Sequence, residues 1–369
     1  MHPSHRNRFN QKSPRDQQGA ALIIALVIMT IAVTISANIL FRQQLNTRLS
    51  SNINNLEQAY IYATGIEDWT RTILARDSEE APETDNLTEP WATEIPPIPI
   101  PGGSMTGRLY DLQALINVNN VYPPENPIPE VDEVVSETVD ADNEPLSPED
   151  AARAREHNRY IIARQRVANM VVVADPDETL GVPINVVDVL QDWIDEDQST
   201  LEGGAESDHY RSQEIAYSTA NSRMVSPTEL RLLKGIDKDG YKLLRKYFTA
   251  LPEMTSVNVN TASYEVIQAL GFTPEAAENI VSVRDDTPFE ALEEFLRLAV
   301  VEPAMQPDAD GNVLVYGHDI SITSSYFLLQ GEINIGTARI YINSILHRND
   351  GKVNVISRDF SNQQLLESE

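Results

Sequence analysis

A run of 22 residues without a charge, Ala20 to Phe41, constrains this chain more than any other feature. A helix rises ~1.5 Å per residue, so the run is long enough to cross the ~30 Å hydrocarbon core of a bilayer. Residues 1–19 before it carry four Lys or Arg and one Asp. Because positive flanks stay in the cytoplasm, the sequence predicts a single-pass membrane anchor with a cytoplasmic N-terminus and the bulk of the chain across the membrane.

The leader differs from a secretory signal, since its apolar core is longer and no small-x-small cleavage site follows it. Gly19 lies before the apolar run, so a cut there removes residues 1–19 and keeps the membrane helix. This order resembles the leader of type IV prepilin-like proteins. The resemblance implies that a prepilin peptidase cuts between Gly19 and Ala20 and N-methylates Ala20. An unprocessed signal anchor is the alternative that length and charge leave open.

The fifth position after the predicted cut is Ile24, where most pilin-like proteins carry a glutamate. A carboxylate in lipid is costly unless it is paired. In pilin assembly its partner is thought to be the N-terminus of a neighbouring subunit, so a chain without the acid lacks one means of joining a filament beneath an existing subunit. Among pilin-like families, the absence of this glutamate resembles the pattern of the K-type minor pseudopilin of the type II secretion system.

The exported part of the chain is strongly acidic. The 369 residues, enough for two domains, include 28 Lys or Arg and 56 Asp or Glu, which gives a net charge of −28. Such a surface repels nucleic acid and anionic lipid headgroups and suits cations or basic partners. The chain contains no cysteine, so no disulfide holds the fold.

Apolar residues continue beyond the anchor at three- and four-residue spacing from Leu45 to Ala63. This spacing predicts that the membrane helix extends to about Ala75 as one amphipathic rod. Acids and six prolines then predict a linker or irregular loop over residues 77–103. Residues 105–118 have the apolar pattern of a strand. The next block, residues 121–146, is rich in acids and proline without Lys or Arg, which predicts a disordered acidic loop.

Helical signals dominate residues 147–305. Ser147 with Asp150, and Ser226 with Glu229, have capping-box spacing, and each serine is followed by a proline at the first helical position. The predicted helices run from Ser147 to about Val172, Ile184 to Trp193, Ser226 to Lys234, Lys238 to Leu251, Ala262 to Leu270 and Thr273 to Arg284.

The C-terminal residues have strand patterns, with a break predicted at Gly331 and a tight hairpin turn at Asn349-Asp350-Gly351. One hairpin is not a stable domain, so these strands need a further strand and a covering helix, which residues 42–120 supply. The predicted fold class is therefore α+β. A pilin-like long N-terminal helix packs on an antiparallel sheet built from residues 42–120 and 306–369. An all-helical insertion, residues 147–305, interrupts it.

Two further stretches add to the resemblance to K-type pseudopilins. Asp111-Leu112-Gln113 followed by Asn117-Val118-Asn119-Asn120 is similar to the family segment DLQGRxNLNN, although Ala114 and Leu115 replace its glycine and arginine. Residues 257–263, read as VNVNTAS, precede a helical hairpin in the same way as in that family.

The second stretch leads into a helix-hairpin-helix (SAM-like) signature, Leu270-Gly271-Phe272 between two short helices. Such units often bind DNA phosphates through backbone amides, which makes a membrane-anchored DNA-binding or uptake protein the alternative function. Residues 226–296 hold seven Lys or Arg and twelve Asp or Glu. Phosphate binding depends on cationic neutralisation, so charge argues against nucleic acid as a partner. Two hairpins that only pack a helical domain are the other interpretation.

Seven carboxylates lie within the 17 residues from Asp192 to Asp208, with no basic residue among them. Carboxylates this dense need solvation, protonation or a cation. Spacing alone favours a solvated acidic loop, because it does not follow the EF-hand pattern. The resemblance to K-type pseudopilins implies a structural Ca²⁺ site here, and oxygen ligands on a flexible loop suit this ion. The predicted ligands are Asp195, Asp197 and Glu206 first, then Asp192 and Asp208. Residues 308–312 are a weaker second candidate.

The sequence contains no nucleophile-elbow, zincin or phosphate-loop motif. The resemblance implies a non-enzymatic minor pseudopilin of the type II secretion system, anchored in the inner membrane by a single pass with the bulk of the chain in the periplasm. Such a subunit caps and initiates the periplasmic pseudopilus with the I- and J-type minor pseudopilins. It also contacts the major pseudopilin and serves the export of folded proteins across the outer membrane.

Overall fold

The computed structural model describes residues 14–125, 128, 133–138, 145–177, 179, 181–306, 313 and 315–360, and the side chains from residue 20 onward. The helices along these residues are α1 (Pro14–Glu80), α2 (Pro148–Ala174), α3 (Val186–Ile194), α4 (Ser207–Arg211), α5 (Lys238–Leu244), α6 (Tyr264–Ala269), α7 (Pro274–Asp286) and α8 (Leu292–Leu296). The strands are β1 (Ile95–Ile100), β2 (Gly103–Asp111), β3 (Ile116–Asn117), β4 (Phe248–Thr249), β5 (Val257–Asn258), β6 (Ile320–Ser321), β7 (Tyr326–Ile335), β8 (Ala338–Asn349) and β9 (Lys352–Asp359).

Helix α1 is one uninterrupted rod that ends at Glu80, five residues beyond the predicted end. Its N-terminal part is long and apolar enough to cross a membrane, with a mean hydropathy of 2.6. Burial begins only at Ala59 and continues on one face through Ala63, Ile66 and Leu74. The helix therefore projects far beyond the globular part that it supports.

The face of α1 that is buried packs on a five-stranded antiparallel sheet of order β1-β2-β7-β8-β9. Gly331 does not break a strand as predicted, because it lies inside β7, directly opposite Gly107 of β2. A Cβ on Gly107 would lie 2.9 Å from Cδ1 of Ile66, and one on Gly331 would lie 2.8 Å from Cγ2 of Ile342. The two glycines thus remove side chains where α1 approaches the sheet.

An ion pair between the buried Glu67 and the exposed Arg358 fixes α1 against the sheet. Nε and Nη2 of Arg358 on β9 donate to the carboxylate of Glu67 at 2.7 and 2.5 Å, and the Ser344 hydroxyl donates to it at 2.6 Å. Burial raises the pKa of Glu67, but the hydrogen bonds from Arg358 and Ser344 outweigh it and leave the pKa below 4.5. The ionised carboxylate is therefore the form that the folded state favours.

The proline-rich stretch, predicted as a linker or irregular loop, contains strand β1, which pairs with β2. Proline lacks a backbone donor, so it is tolerated where the strand lies at the edge of a sheet. At the other end, Asp350 and Gly351 take φ values of 49° and 72° and connect β8 to β9. The predicted hairpin turn is confirmed.

The helical part, centred on residues 147–305, has its own hydrophobic core, which contains no described residue of α1. Ser147 caps α2 and Ser226 forms a complete capping box, as predicted. The segment that follows Ser226 is a 3₁₀ helix, residues 227–232, and α5 ends at Leu244 instead of Leu251. The chain beyond α5 pairs as β4 with β3. Within the predicted acidic loop, residues 133–138 lie along α2, where Asn158 bonds the backbone of Val135. Residues 126, 127, 129–132 and 139–144 lie outside the described residues, and disorder of the loop stays a prediction.

The two parts share more than a covalent connection. Ile116 and Val118, expected in the pilin-like part, are buried in the helical core together with Val315 and Ile320. Val121, expected at the start of the acidic loop, is buried there too. Each of the short parallel pairs β3–β4 and β5–β6 joins a strand within residues 147–305 to a strand outside them. The helical core thus includes residues from outside 147–305.

A buried polar network connects the two polar stretches that resemble the K-type pseudopilin segments. Asp111 accepts hydrogen bonds from Thr261 at 2.5 Å, Ser324 at 2.6 Å and Asn258 at 3.2 Å. Burial raises the pKa of Asp111 to about 6, against the effect of these donors. Asn119 of the first stretch accepts from the backbone N–H of Met224. The DLQ…NVNN and VNVNTAS segments are therefore partners in space that join the sheet to the helical part.

Candidate functional site

The acidic cluster between Asp192 and Asp208 surrounds the C-terminal end of α3. Asp195 follows the last residue of α3 in extended conformation, and its backbone N–H still donates to Gln191. The chain then turns through Gly203 and Gly204 and returns to Glu206, which caps α4. Two helix ends thus hold the first and last carboxylates of the cluster, and a loop carries Asp197 between them.

The structure brings Asp195, Asp197 and Glu206 together, and one carboxylate oxygen from each lies within 4.8 Å of the others. Calcium–oxygen distances are about 2.3–2.6 Å, so oxygens on opposite sides of one ion lie up to ~5 Å apart. The spacing of the three oxygens therefore fits a single Ca²⁺ ion.

Two atoms of this cluster lack the partners that burial demands. Oδ1 of Asp195 and Oε1 of Glu206 are buried without a hydrogen bond, and these residues are 6% and 4% exposed. Burial, and then the charges of Asp197, Glu206 and Asp192, raises the pKa of Asp195 to about 7. Burial and neighbouring carboxylates also raise the pKa of Glu206. A cation would satisfy both oxygens and offset the repulsion.

The other two predicted ligands lie elsewhere. Asp192 is fully buried at the end of α3, and its carboxylate accepts the backbone N–H of Leu201 at 3.3 Å. It closes the loop on itself and adds negative charge beside Asp195. Asp208 lies on α4 with a fully exposed side chain, 3.9 Å from Arg211. Of the five predicted ligands, the structure therefore gathers three around one point.

Sequence reasoning missed the residues that hold the loop from outside. Asn221 adopts a φ of 47° and donates from its side chain to the backbone oxygens of Asp197 and Glu196 at 3.2 and 3.4 Å. The Thr219 hydroxyl lies 3.5 Å from Oε2 of Glu206. The amino group of Lys234 donates to Gly204 O at 2.9 Å. Only the asparagine, a residue that tolerates positive φ, could have suggested such a role.

A second carboxylate group, Asp77, Asp85 and Glu89, lies where α1 ends. Arg348 already pairs with two of these carboxylates, with contacts of 2.9 Å to Asp77 and 2.5 Å to Asp85. Burial raises the pKa of Glu89 to about 7, against the effect of its bond from Trp91. This group is a salt-bridge network, in contrast to the unpartnered oxygens of Asp195 and Glu206. The weaker metal candidate, residues 308–312, lies outside the described residues.

The predicted processing site lies in α1, which runs unbroken through Gly19 and Ala20. Ile24 is 59% exposed, and the other apolar residues of the span are exposed as well. Cleavage between Gly19 and Ala20 and N-methylation of Ala20 stay predictions.

A long helix that carries an apolar span and then packs on an antiparallel sheet defines a pilin-like subunit, here enlarged by a helical part. Two family models, both described as Type II secretion system (T2SS), protein K, match residues 114–253 and 257–315. Type II secretion system protein K of Pseudomonas aeruginosa is 30% identical over 94% of this chain and 93% of its own. The Dickeya chrysanthemi protein of that name is 28% identical over 94% and 97%.

The fold also has a solved counterpart. A chain of the GspK-GspI-GspJ complex from enterotoxigenic Escherichia coli aligns with a TM-score of 0.65 at 20% identity, over 85% of this chain and 99% of that one. The chain belongs to the type II secretion system protein K family, and it is a minor pseudopilin of that system.

Proposed function

We propose that this protein is the tip subunit of a periplasmic pseudopilus, which it initiates and caps together with I- and J-type minor pseudopilins. Its role is structural and non-enzymatic, in the export of folded proteins across the outer membrane. The complex named for the solved relative supports these partners. The major pseudopilin would lie below, and the inner membrane would hold the subunit before assembly.

The observation that carries this proposal is an apolar stripe on α1 between the span and the globular part. Leu45, Leu49, Ile53 and Leu56 follow helical spacing and are 49%, 51%, 55% and 42% exposed. Within the described chain, burial of α1 begins beyond this stripe, at Ala59, and the contact of Asn52 with Thr337 lies to one side of it. Exposed contiguous apolar surface marks interaction sites, and a helical stripe suits the helices of neighbouring subunits.

Replacing Leu49 and Ile53 with Asp tests this stripe. The matched control is Ser50→Asp with Asn54→Asp, which adds the same charge at the same spacing about 100° further round the helix. We expect the stripe variant to lose co-purification with I- and J-type subunits from detergent extracts and to reduce secretion of a folded enzyme. The control variant should keep both. Equal complex formation by the two variants would contradict the proposal.

The tip position has two supports. Ile24 lacks the carboxylate that would pair with a subunit already present, and the helical part adds bulk that would obstruct a subunit above. Immunogold labelling of pseudopili should then place this protein at filament ends. Label distributed along the shafts would rule out a cap.

Maturation would follow the prepilin pathway, with a prepilin peptidase that cuts between Gly19 and Ala20 and methylates Ala20. Mass spectrometry of the mature N-terminus tests this step directly. An N-methylated Ala20 is the expected result, and intact residues 1–19 in envelopes where other pseudopilins are matured would refute it.

A Ca²⁺ ion held by Asp195, Asp197 and Glu206 would be structural, since it would tie the end of α3 to the start of α4. The unpartnered buried oxygens support this site. Titration with calcium, followed by calorimetry, should detect binding that Asp195→Asn weakens.

The helix pairs would be helix-hairpin-helix units in a packing role. Gly271, between α6 and α7, has a φ of 106°, which only glycine adopts readily. The acidic charge of residues 226–296 favours packing over DNA binding. A gel shift at low salt should show no retained DNA, and a retained band would favour the DNA-uptake alternative.

A further inference from the structure

Three carboxylates meet where the chain leaves α1. Asp77 lies in the last turn of α1, and Asp85 and Glu89 follow before β1 begins. One carboxylate oxygen from each residue lies within 4.8 Å of the other two. Asp77 and Asp85 are 7% and 1% exposed, and Glu89 is half-buried. Within the described chain, Arg348 pairs with Asp77 and Asp85, so three negative charges face one positive charge.

Carboxylates this close together in a buried group do not all ionise, because each negative charge disfavours the next. Burial raises the pKa of Asp85, and a hydrogen bond from the Asp77 side chain partly offsets that rise. A hydrogen bond between two carboxyl groups requires a proton on one of them. Burial and the charge of Asp85 raise the pKa of Asp77 to about 6, against the effect of Arg348. Burial, with smaller contributions from Asp77 and Asp85, raises the pKa of Glu89 to about 7. The retained proton therefore belongs to the group as a whole.

This group also connects α1 to the helical part. The backbone N–H of Asp85 donates to the backbone oxygen of Ile322 at 2.8 Å, and its own backbone oxygen accepts from the Asn258 side chain at 3.0 Å. Oδ2 of Asp85 accepts the backbone N–H of Ser324 at 2.7 Å. Asn258 lies in β5, within residues 147–305. The charge of the carboxylate group thus acts directly on a contact between the two parts of the molecule.

The elements packed around the group add negative charge and little to balance it. Glu80, also in the last turn of α1, places a further negative charge near Asp77. Asp111, at the end of β2, is linked to the group through Ser324, whose hydroxyl donates to it at 2.6 Å. Arg348 on β8 is shared by two carboxylates and also donates to the backbone oxygen of Ser324 at 2.8 Å. Loss of the retained proton therefore adds a buried negative charge without a counter-ion, which is costly.

We propose that residues 81–89 form a proton-controlled latch between α1 and the helical part. The latch is closed while Asp77, Asp85 and Glu89 hold a proton between them, and the bonds of Asp85 to the chain around Ser324 are then formed. When the proton passes to water, the carboxylates separate, the latch segment becomes hydrated, and the helical part is free to move relative to α1. This device does not depend on the proposed tip role.

The direction of the pH dependence follows from linkage. In the open latch the carboxylates are hydrated, and their pKa values return toward the ordinary 3.8 of Asp77 and 4.5 of Glu89. Opening therefore releases protons, so the opening constant rises with pH until the closed-state values of about 6 and 7 are passed, and then levels off. From pH 5 to pH 8 the opening constant should increase by about tenfold or more.

Native-state hydrogen exchange of the full chain in detergent micelles measures this opening, with rates corrected for the intrinsic dependence of amide exchange on pH. Asp195→Asn is the parent protein for this experiment, so that the acidic cluster at α3 does not contribute its own pH dependence. The N–H groups of Asp85 and Ser324, in peptides over residues 82–92 and 321–326, should exchange faster at pH 8 by that factor. Amides of α6 and α7, in the core of the helical part, should not.

Asp77→Asn keeps an acceptor for Arg348 and a donor for Asp85, so it imitates the protonated side chain at every pH. In the parent background it should lower the opening constant at pH 8 about tenfold and flatten the profile. Asp68→Asn makes the same change at an exposed position of α1 and is the control, which should follow the parent.

Four outcomes would overturn the latch. Exchange at the latch amides in the parent could be independent of pH, or Asp77→Asn could keep the parent profile. The amides of α6 and α7 could open in parallel with the latch, which would indicate unfolding of the whole domain. Addition of calcium could abolish the pH dependence, which would indicate that a cation and not a proton occupies the group.

Discussion

Removing one negative charge from the acidic cluster should have opposite effects with and without calcium. Burial and the neighbouring carboxylates raise the pKa of Asp195 from 3.8 to about 7. At 1.36 kcal/mol per pKa unit, keeping Asp195 ionised at pH 8 in the metal-free fold costs on the order of 4 kcal/mol. Asp195→Asn removes this charge with little change of shape, so it should raise the free energy of unfolding in chelator by about 2–4 kcal/mol.

Calcium in large excess should reverse the ranking. An ion at 1,000 times its Kd stabilises the wild-type fold by about 4.1 kcal/mol, more than the variant gains in chelator, and a variant without a ligand oxygen loses most of this stabilisation. Urea denaturation followed by tryptophan fluorescence measures both effects, because Trp193 at the end of α3 lies two residues before Asp195. The wild-type midpoint should rise on addition of calcium. The variant should start higher in chelator and barely respond.

The dependence on pH gives the sign independently. The folded pKa of Asp195 lies above its unfolded value, so metal-free wild-type protein should lose stability as pH rises from 3.8 to about 7. The variant should have a flatter profile over that range. Asp208→Asn, the same chemical change at a fully exposed side chain, is the control and should alter neither quantity. Destabilisation by Asp195→Asn in both chelator and calcium would refute this reasoning.

Three further predictions concern the framework. The pKa of Glu67 is lowered, so stability should fall as pH drops below 4.5, and Glu67→Gln should reduce this acid dependence while costing about 1–3 kcal/mol at neutral pH in denaturant titrations. Gly331→Val should cost about 1–3 kcal/mol by overpacking beneath α1, whereas Gly65→Ala, with no atom within 4 Å of the new Cβ, should be neutral or stabilising in thermal melts. Arg348→Met should cost about 3–5 kcal/mol because it leaves Asp85 buried without its counter-ion, and Arg348→Met with Asp85→Asn should recover part of that loss.

Sequence patterns over a few residues correctly predicted those elements that short-range sterics and periodicity determine. The apolar run and its continued spacing predicted α1, and Asp350-Gly351 predicted the β8–β9 hairpin, because sterics and periodicity act over a few residues. Gly331 was misread for the same reason. A glycine within apolar residues indicates a turn by its neighbours alone, whereas its role here depends on Gly107, more than 200 residues away in sequence, and on the helix above both.

Composition predicted the candidate site better than it predicted the ligands. The density of carboxylates between Asp192 and Asp208 indicated solvation, protonation or a cation, and that argument needs no coordinates. Which oxygens converge depends on where α3 ends and α4 begins, and a one-residue difference there turns a side chain by about 100°. Asp192 therefore bonds Leu201 while Asp195 faces Glu206. Asn221, whose backbone conformation positions it over the loop, has no sequence signal that reveals its target.

The junction between the two parts links the helical part to the orientation of α1. Arg348 on β8 bonds Asp77, in the last turn of α1, and Asp85, whose Oδ2 accepts the backbone N–H of Ser324. Ser324 in turn donates to Asp111, which also holds the helical part through its bonds from that side. Buried charges are tolerated only when all their bonds form together, so this network favours a single arrangement over a range of hinged ones. The tip role proposed above would be served by such a fixed relation between α1 and the helical part, since a polar connection has fewer alternative arrangements than an apolar contact that can slide.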